Sequence, residues 1–166
     1  MELVLELDVP PRPEYIAIVR LVVSSLATAR RELADERIDD LKLAVSEACT
    51  NGIEAHQNSH IDSPVVVQVW EAAERMEVLV RDRGRGFDPE SLPSHPKVTD
   101  PERLNFERGL GIPLMRTLVD DLEFRPTHEG QGTTVRMILF GGPTGTHGDE
   151  TSEILRVVLT DEDRRQ

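Results

Sequence analysis

The segment LAVSEACTNGIEAHQ, residues 43–57, carries Glu47, Asn51 and Glu54 at intervals of four and three. On a helix that spacing lines up all three side chains. At about 100° per residue they fall within roughly 60° of one another, while Leu41, Ala44, Val45, Ala48 and Gly52 centre about 100° away. The polar stripe therefore borders the buried face rather than opposing it. A carboxylate and a carboxamide so placed can orient a nucleophile or hold a hydrated Mg²⁺, a cation that prefers oxygen ligands and keeps several waters. The plainer alternative is a solvated helix face, the usual fate of Glu and Asn.

Three later segments add to this stripe. In RDRGRGFDP, Asp82 closes a β-rich run and Gly84 and Gly86 follow in a D-x-G-x-G spacing. A carboxylate at a strand end can accept from an exocyclic amine, and the glycines let a flat ligand approach the backbone; alone, the stretch is equally a glycine turn. In RGLGIPLM, Gly109 and Gly111 open a helix whose free N–H groups and dipole suit an anion, although an ordinary flexible helix entry reads the same. Neither the P-loop pattern nor the G-x-G-x-x-G of a dinucleotide-binding βαβ unit is present. In GQGTTVRM, Thr133 and Thr134 follow a turn, as in any hairpin.

The elements that would position these residues follow from periodicity. LVLELDVP reads as an edge strand stopped by Pro10 and Pro11. Helical spacing predicts one helix over 14–33 and a second over 36–56, the second led by the acidic ADERIDD. Residues 65–70 and 76–81 form a predicted hairpin. Residues 88–107 hold Pro89, Pro93, Pro96 and Pro101 without a sustained period, and a loop of that length is functional or mobile. A helix follows from GLGIPLMRTLVDD, with Pro113 tolerated in its first turn, then a strand, a turn at 129–132 and a last strand. This order predicts an α+β sandwich with helices on one face of a sheet. Beyond residue 141 the chain is acidic and Gly-rich, a tail expected to be flexible, with one apolar island, ILRVVL, able to pair with a sheet edge or bind something.

The chain has 166 residues, 19 Lys and Arg against 31 Asp and Glu, and a net charge of −12. That suits one domain and disfavours a nucleic-acid partner. The single cysteine excludes an internal disulfide, and no apolar run reaches the roughly 18 residues of a membrane span, so a cytoplasmic location is expected. Cys49 falls on the apolar side of its helix, where an inert thiol is expected. The five histidines show no metal-binding spacing, and Trp70 reads as core or interface.

Together and in this order, EACTNGIEAH, DRGRGFD, RGLGIPLM and GTTVRM resemble the N box and the three glycine boxes of the GHKL ATPase family. Residues 1 to 140 lie along its ATP-binding domain, and the short spacings are most similar to the anti-sigma factor serine/threonine kinases. The resemblance implies an α/β sandwich of mixed, mostly antiparallel sheet that binds ATP and Mg²⁺. It assigns Glu47 as general base and Asn51 as Mg²⁺ ligand. Asp82 would accept from the adenine amine, Gly84 and Gly86 would shape the adenine pocket, and Thr133 would complete that contact. Arg108, Gly109, Leu110 and Gly111 would surround the phosphates, with 88–107 as the lid. The relatives further imply a sigma factor partner, an anti-anti-sigma (STAS-domain) substrate and a homodimer, without direct nucleic-acid or membrane contact. Gly52 departs from the family, which more often has Ala there, and residues 141–166 have no counterpart.

Two other readings compete with the kinase. One is an ATP-gated protein-binding module of the same fold without turnover. The other is the ATP-binding half of a histidine kinase, but no histidine precedes His56 to serve as phosphoacceptor.

Overall fold

The computed structural model describes residues 1–30, 33–86, 111–127, 131–141 and 155–159. Their elements, in chain order, are β1 (Glu2–Val9), a 3-10 turn (Pro13–Tyr15), α1 (Ile16–Ala29), α2 (Asp35–Asn58), β2 (Val65–Ala72), β3 (Arg75–Arg81), α3 (Gly111–Leu118), β4 (Asp121–Pro126), β5 (Thr133–Phe140) and β6 (Leu155–Val158). The strands form one sheet in the order β4-β5-β3-β2-β1-β6, with antiparallel neighbours throughout except the parallel pair β1–β6. The helices pack on one face. This is the α+β sandwich expected from the order of elements.

Alternation along the strands explains the layer. Leu5, Leu7 and Val9 of β1, Val65, Val67 and Val69 of β2, Met76, Val78 and Val80 of β3, and Val135, Met137 and Leu139 of β5 are all buried in one core with the helices. On α2 the buried positions Leu41, Ala44, Val45, Ala48, Cys49, Gly52, Ile53 and His56 recur at three- and four-residue steps. Asp35 and Glu36 occupy its first turn, where the helix dipole favours negative charge.

The opposite sheet face is held by paired polar groups. Glu77 is only 2% exposed there because the Arg136 guanidinium donates to both its carboxylate oxygens, at 2.9 and 2.7 Å, and Arg75 adds a contact at 3.0 Å. Gln68 bridges two neighbours, donating to Glu6 and accepting from Arg81, each at 2.6 Å.

The edge-strand expectation for β1 is corrected. β6 runs parallel along its outer side, pairing Leu5 with Leu155 through Asp8 with Val158, while Pro10 and Pro11 lie beyond the strand and interrupt no ladder. The apolar island of the tail therefore extends the sheet. α1 also stops at Ala29, short of the predicted end, and the next residue, Arg30, donates to the Ala72 carbonyl at 2.6 Å and pairs with Glu71 at 3.2 Å. Its side chain has turned to the β2–β3 hairpin. α2 runs slightly longer than predicted at both ends. Among the described residues, no helix is long and apolar enough to cross a membrane.

A Cβ added at Gly52 would meet Val65 Cγ atoms at 3.4 and 3.6 Å and Asp82 Cβ at 3.5 Å, which is ordinary contact. Gly52→Ala should therefore stabilise the protein by about 1 kcal/mol through helix propensity, read as a higher urea midpoint.

Candidate functional site

β3 ends at Arg81, and the chain turns at once beneath α2. Asp82, 6% exposed, donates its N–H to the Thr133 carbonyl at 2.9 Å, while its Oδ1 accepts from Gly84 N–H at 2.8 Å and Thr133 N–H at 3.2 Å. Burial pushes this carboxyl above its usual range, and the Gly84 and Thr133 N–H groups chiefly oppose the shift by favouring the charged form. The loop is pressed from both sides. Gly132 stands behind it with a φ of 87°, where a Cβ would come within 2.2 Å of the Asp82 carbonyl oxygen, so a side chain is excluded there. Gly84 lies in front, where a Cβ would sit 2.7 Å from that of Ala55.

α3 lies alongside α2 in the opposite sense. Near its C-terminal end, Arg37 of α2 donates to the Leu118 carbonyl at 3.0 Å and to the Asp120 carboxylate at 2.7 Å. At the other end Gly111 abuts the polar stripe: a Cβ there would lie 2.8 Å from Glu47 Oε2 and 3.7 Å from Asn51 Nδ2. The carboxylate, the carboxamide and the first residue of α3 thus meet at one place.

Between these two sites opens a cavity of about 390 Å³, within the range of small-molecule pockets. Its walls include Ala48, Val80, Ile112, Phe124 and Val135, and polar groups enter from Asn51, Asp82 and Thr133. A largely apolar slot with the buried Asp82 carboxylate in its wall suits a flat heteroaromatic ring bearing an amine. The structure brings together Glu47, Asn51, Asp82, Gly84, Gly86, Gly111 and Thr133 around this cavity and its margin. Arg108, Gly109 and Leu110, and the loop 88–107, lie outside the described residues.

Sequence reasoning missed Ile112, Phe124 and Val135 as cavity walls, although alternation along β4 places Phe124 on the helix-facing side beside Val135. It also missed Arg85 and gave no task to Glu54, the last member of the opening stripe; both line the cavity. Cys49 is fully buried, and burial pushes its thiol up to about 12, which leaves it a packing residue. Trp70 lies on the opposite sheet face, at the register of Glu77. Gly132→Ala should cost about 3 kcal/mol in urea unfolding, because the methyl group would meet backbone that cannot yield without breaking the Asp82–Thr133 pairing.

The family described as histidine kinase-like ATPase domain matches residues 9–139. The serine-protein kinase RsbW of Bacillus pumilus is 37% identical over 142 residues, covering 82% of this chain and 85% of the relative. That of Bacillus subtilis is 36% identical over 137 residues, covering 80% and 82%. Among solved structures, the RsbU and RsbW domains of a Mycobacterium tuberculosis protein align with a TM-score of 0.57 at 18% identity, over 83% of this chain and 32% of that one, a likeness of fold. The site geometry and these similarities agree: the chain belongs to the histidine kinase-like ATPase family and, within it, to the family of the RsbW serine-protein kinases.

Proposed function

We propose that this chain binds ATP with Mg²⁺ in the cavity between α2 and the sheet and transfers the γ-phosphoryl group to a serine or threonine of an anti-anti-sigma (STAS-domain) protein. In the same reading it sequesters a sigma factor, as a homodimer in the cytoplasm. One observation carries the proposal: Asp82 and Thr133 meet the cavity near Gly52 and Ala55, while Asn51 and, about one turn before it on the same helix, Glu47 meet Gly111. The names of the relatives, serine-protein kinases, support a protein hydroxyl as acceptor.

Each residue then has a task. Asp82 accepts from the adenine amine, Thr133 supports it through its hydroxyl, and Gly84 and Gly86 leave room for the base. Gly111 and its chain neighbours Arg108, Gly109 and Leu110 receive the phosphates. Asn51 would offer an amide oxygen to Mg²⁺, a cation that prefers oxygen ligands. The cation supplies charge neutralisation to the phosphates. Glu47 takes the proton of the acceptor hydroxyl as its oxygen bonds to the γ-phosphorus; the bond to the β–γ bridging oxygen breaks and ADP leaves. The net charge of −12 suits partners with a basic face.

Glu47→Ala should lower phosphate incorporation into the STAS protein by about 100-fold or more while ATP affinity, read by calorimetric titration, stays within a few-fold. Undiminished transfer would remove Glu47 from the role of base. Gly111→Ala should behave similarly but more mildly, about tenfold, with its melting temperature kept, because only the tip of the Glu47 side chain must give way. A pull-down from the host lysate in Mg-ATP, read by mass spectrometry, tests the partners. A sigma factor and a newly phosphorylated STAS protein are expected, whereas partners without phosphate would indicate a nucleotide-gated binding module.

A further inference from the structure

His56 sits in the last turn of α2, has no exposed surface, and has no part in the chemistry described so far. Its two ring nitrogens face different backbones. Nε2 accepts from the Arg83 N–H at 2.7 Å, and Nδ1 lies 2.9 Å from the Ser63 carbonyl oxygen. A backbone N–H can only donate and a carbonyl can only accept, so one arrangement satisfies both contacts: a neutral ring with its proton on Nδ1.

The place of this bond gives it its significance. Three residues of α2 meet three consecutive residues of the loop. A Cβ on Gly52 would lie 3.5 Å from that of Asp82, Ala55 approaches Gly84, and His56 holds Arg83 between them. The first two meetings are packing contacts, which set how near the loop lies to α2 without fixing the direction of a peptide. The His56–Arg83 bond is directional and fixes the peptide immediately after Asp82. Within the loop, Gly84 N–H bonds to Asp82 Oδ1 and Asp82 N–H to Thr133, so the Arg83 N–H is the loop donor anchored to α2.

We propose that His56 is a positioning residue for base selectivity: by holding the Arg83 N–H in its Nδ1-protonated form, it sets the Asp82 carboxylate at the depth and angle at which it meets an exocyclic amine on the bound purine. This rests on the ATP reading above. The ring touches neither nucleotide nor acceptor, and its effect passes through Asp82.

Titrations of the full chain with ATP and with inosine triphosphate, which has a carbonyl in place of the amine, test this. The unmodified protein should prefer ATP. His56→Asn keeps a donor near Ser63 and strips the acceptor from Arg83, so ATP affinity should fall about tenfold with inosine triphosphate binding little changed. His56→Gln, whose amide oxygen can reach the Nε2 position, should recover most of the preference. An Asn variant that binds ATP with its preference intact would overturn the proposal, because a merely structural histidine alters melting temperature without altering the ratio. Nitrogen NMR of the unmodified protein provides a check independent of any variant's folding. Nδ1 protonated and Nε2 bare is expected, and the opposite tautomer or a doubly protonated ring would refute it. If the unmodified protein bound neither nucleotide, the ATP reading itself would fall and this inference with it; ATP binding with unaltered selectivity in the Asn variant would remove the inference alone.

Discussion

α2 presses Leu41, Val45, Ala48, Cys49 and Ile53 into the layer formed by β1, β2, β3 and β5, and each large apolar side chain so buried contributes about 1.5–3 kcal/mol. A close-packed helix of 24 residues has little freedom to roll or slide, so whatever stands at the margin of its buried face inherits its position. Glu47, Asn51 and Ala55 stand there, beside the buried Gly52 and His56. The contact that stabilises the domain is therefore also the one that aligns the site, and Arg37, at the beginning of the same helix, extends that control to α3 through Leu118 and Asp120. A change that tilted α2 would disturb both ends of the cavity together.

A one-sided sandwich leaves the other face of its sheet to be accounted for. Here the outward residues pair across strands, with Glu77 against Arg136 and Arg75, and Gln68 between Glu6 and Arg81. Charged side chains laid along the sheet shield the strands without a second layer of helices.

How much of this was legible in the sequence depended on the range of each interaction. The stripe on α2 was visible because a helix repeats every 3.6 residues, and Asp82 because a carboxylate before spaced glycines is a local pattern. His56 was passed over because its meaning lies in Arg83 and Ser63, a tertiary pairing that no spacing encodes. Phe124 and Ile112 were overlooked because apolar residues look alike whether they fill a core or wall a cavity. Gly132 belonged to a recognised turn, but its approach to the Asp82 carbonyl depends on a strand fifty residues earlier. The edge assignment of β1 failed for the same reason, since its outer neighbour comes from the far end of the chain.

That last pairing affects the order in which the molecule is made. β1 leaves the ribosome before the other described strands, and β6, its parallel partner, follows only after all of them. Until residues 155–158 emerge, the outer N–H and C=O groups of β1 have only water to bond, and a nascent chain in that state offers an open sheet edge to its neighbours. Four residues of late-arriving strand thus close an edge that stays open while the rest of the sheet is made.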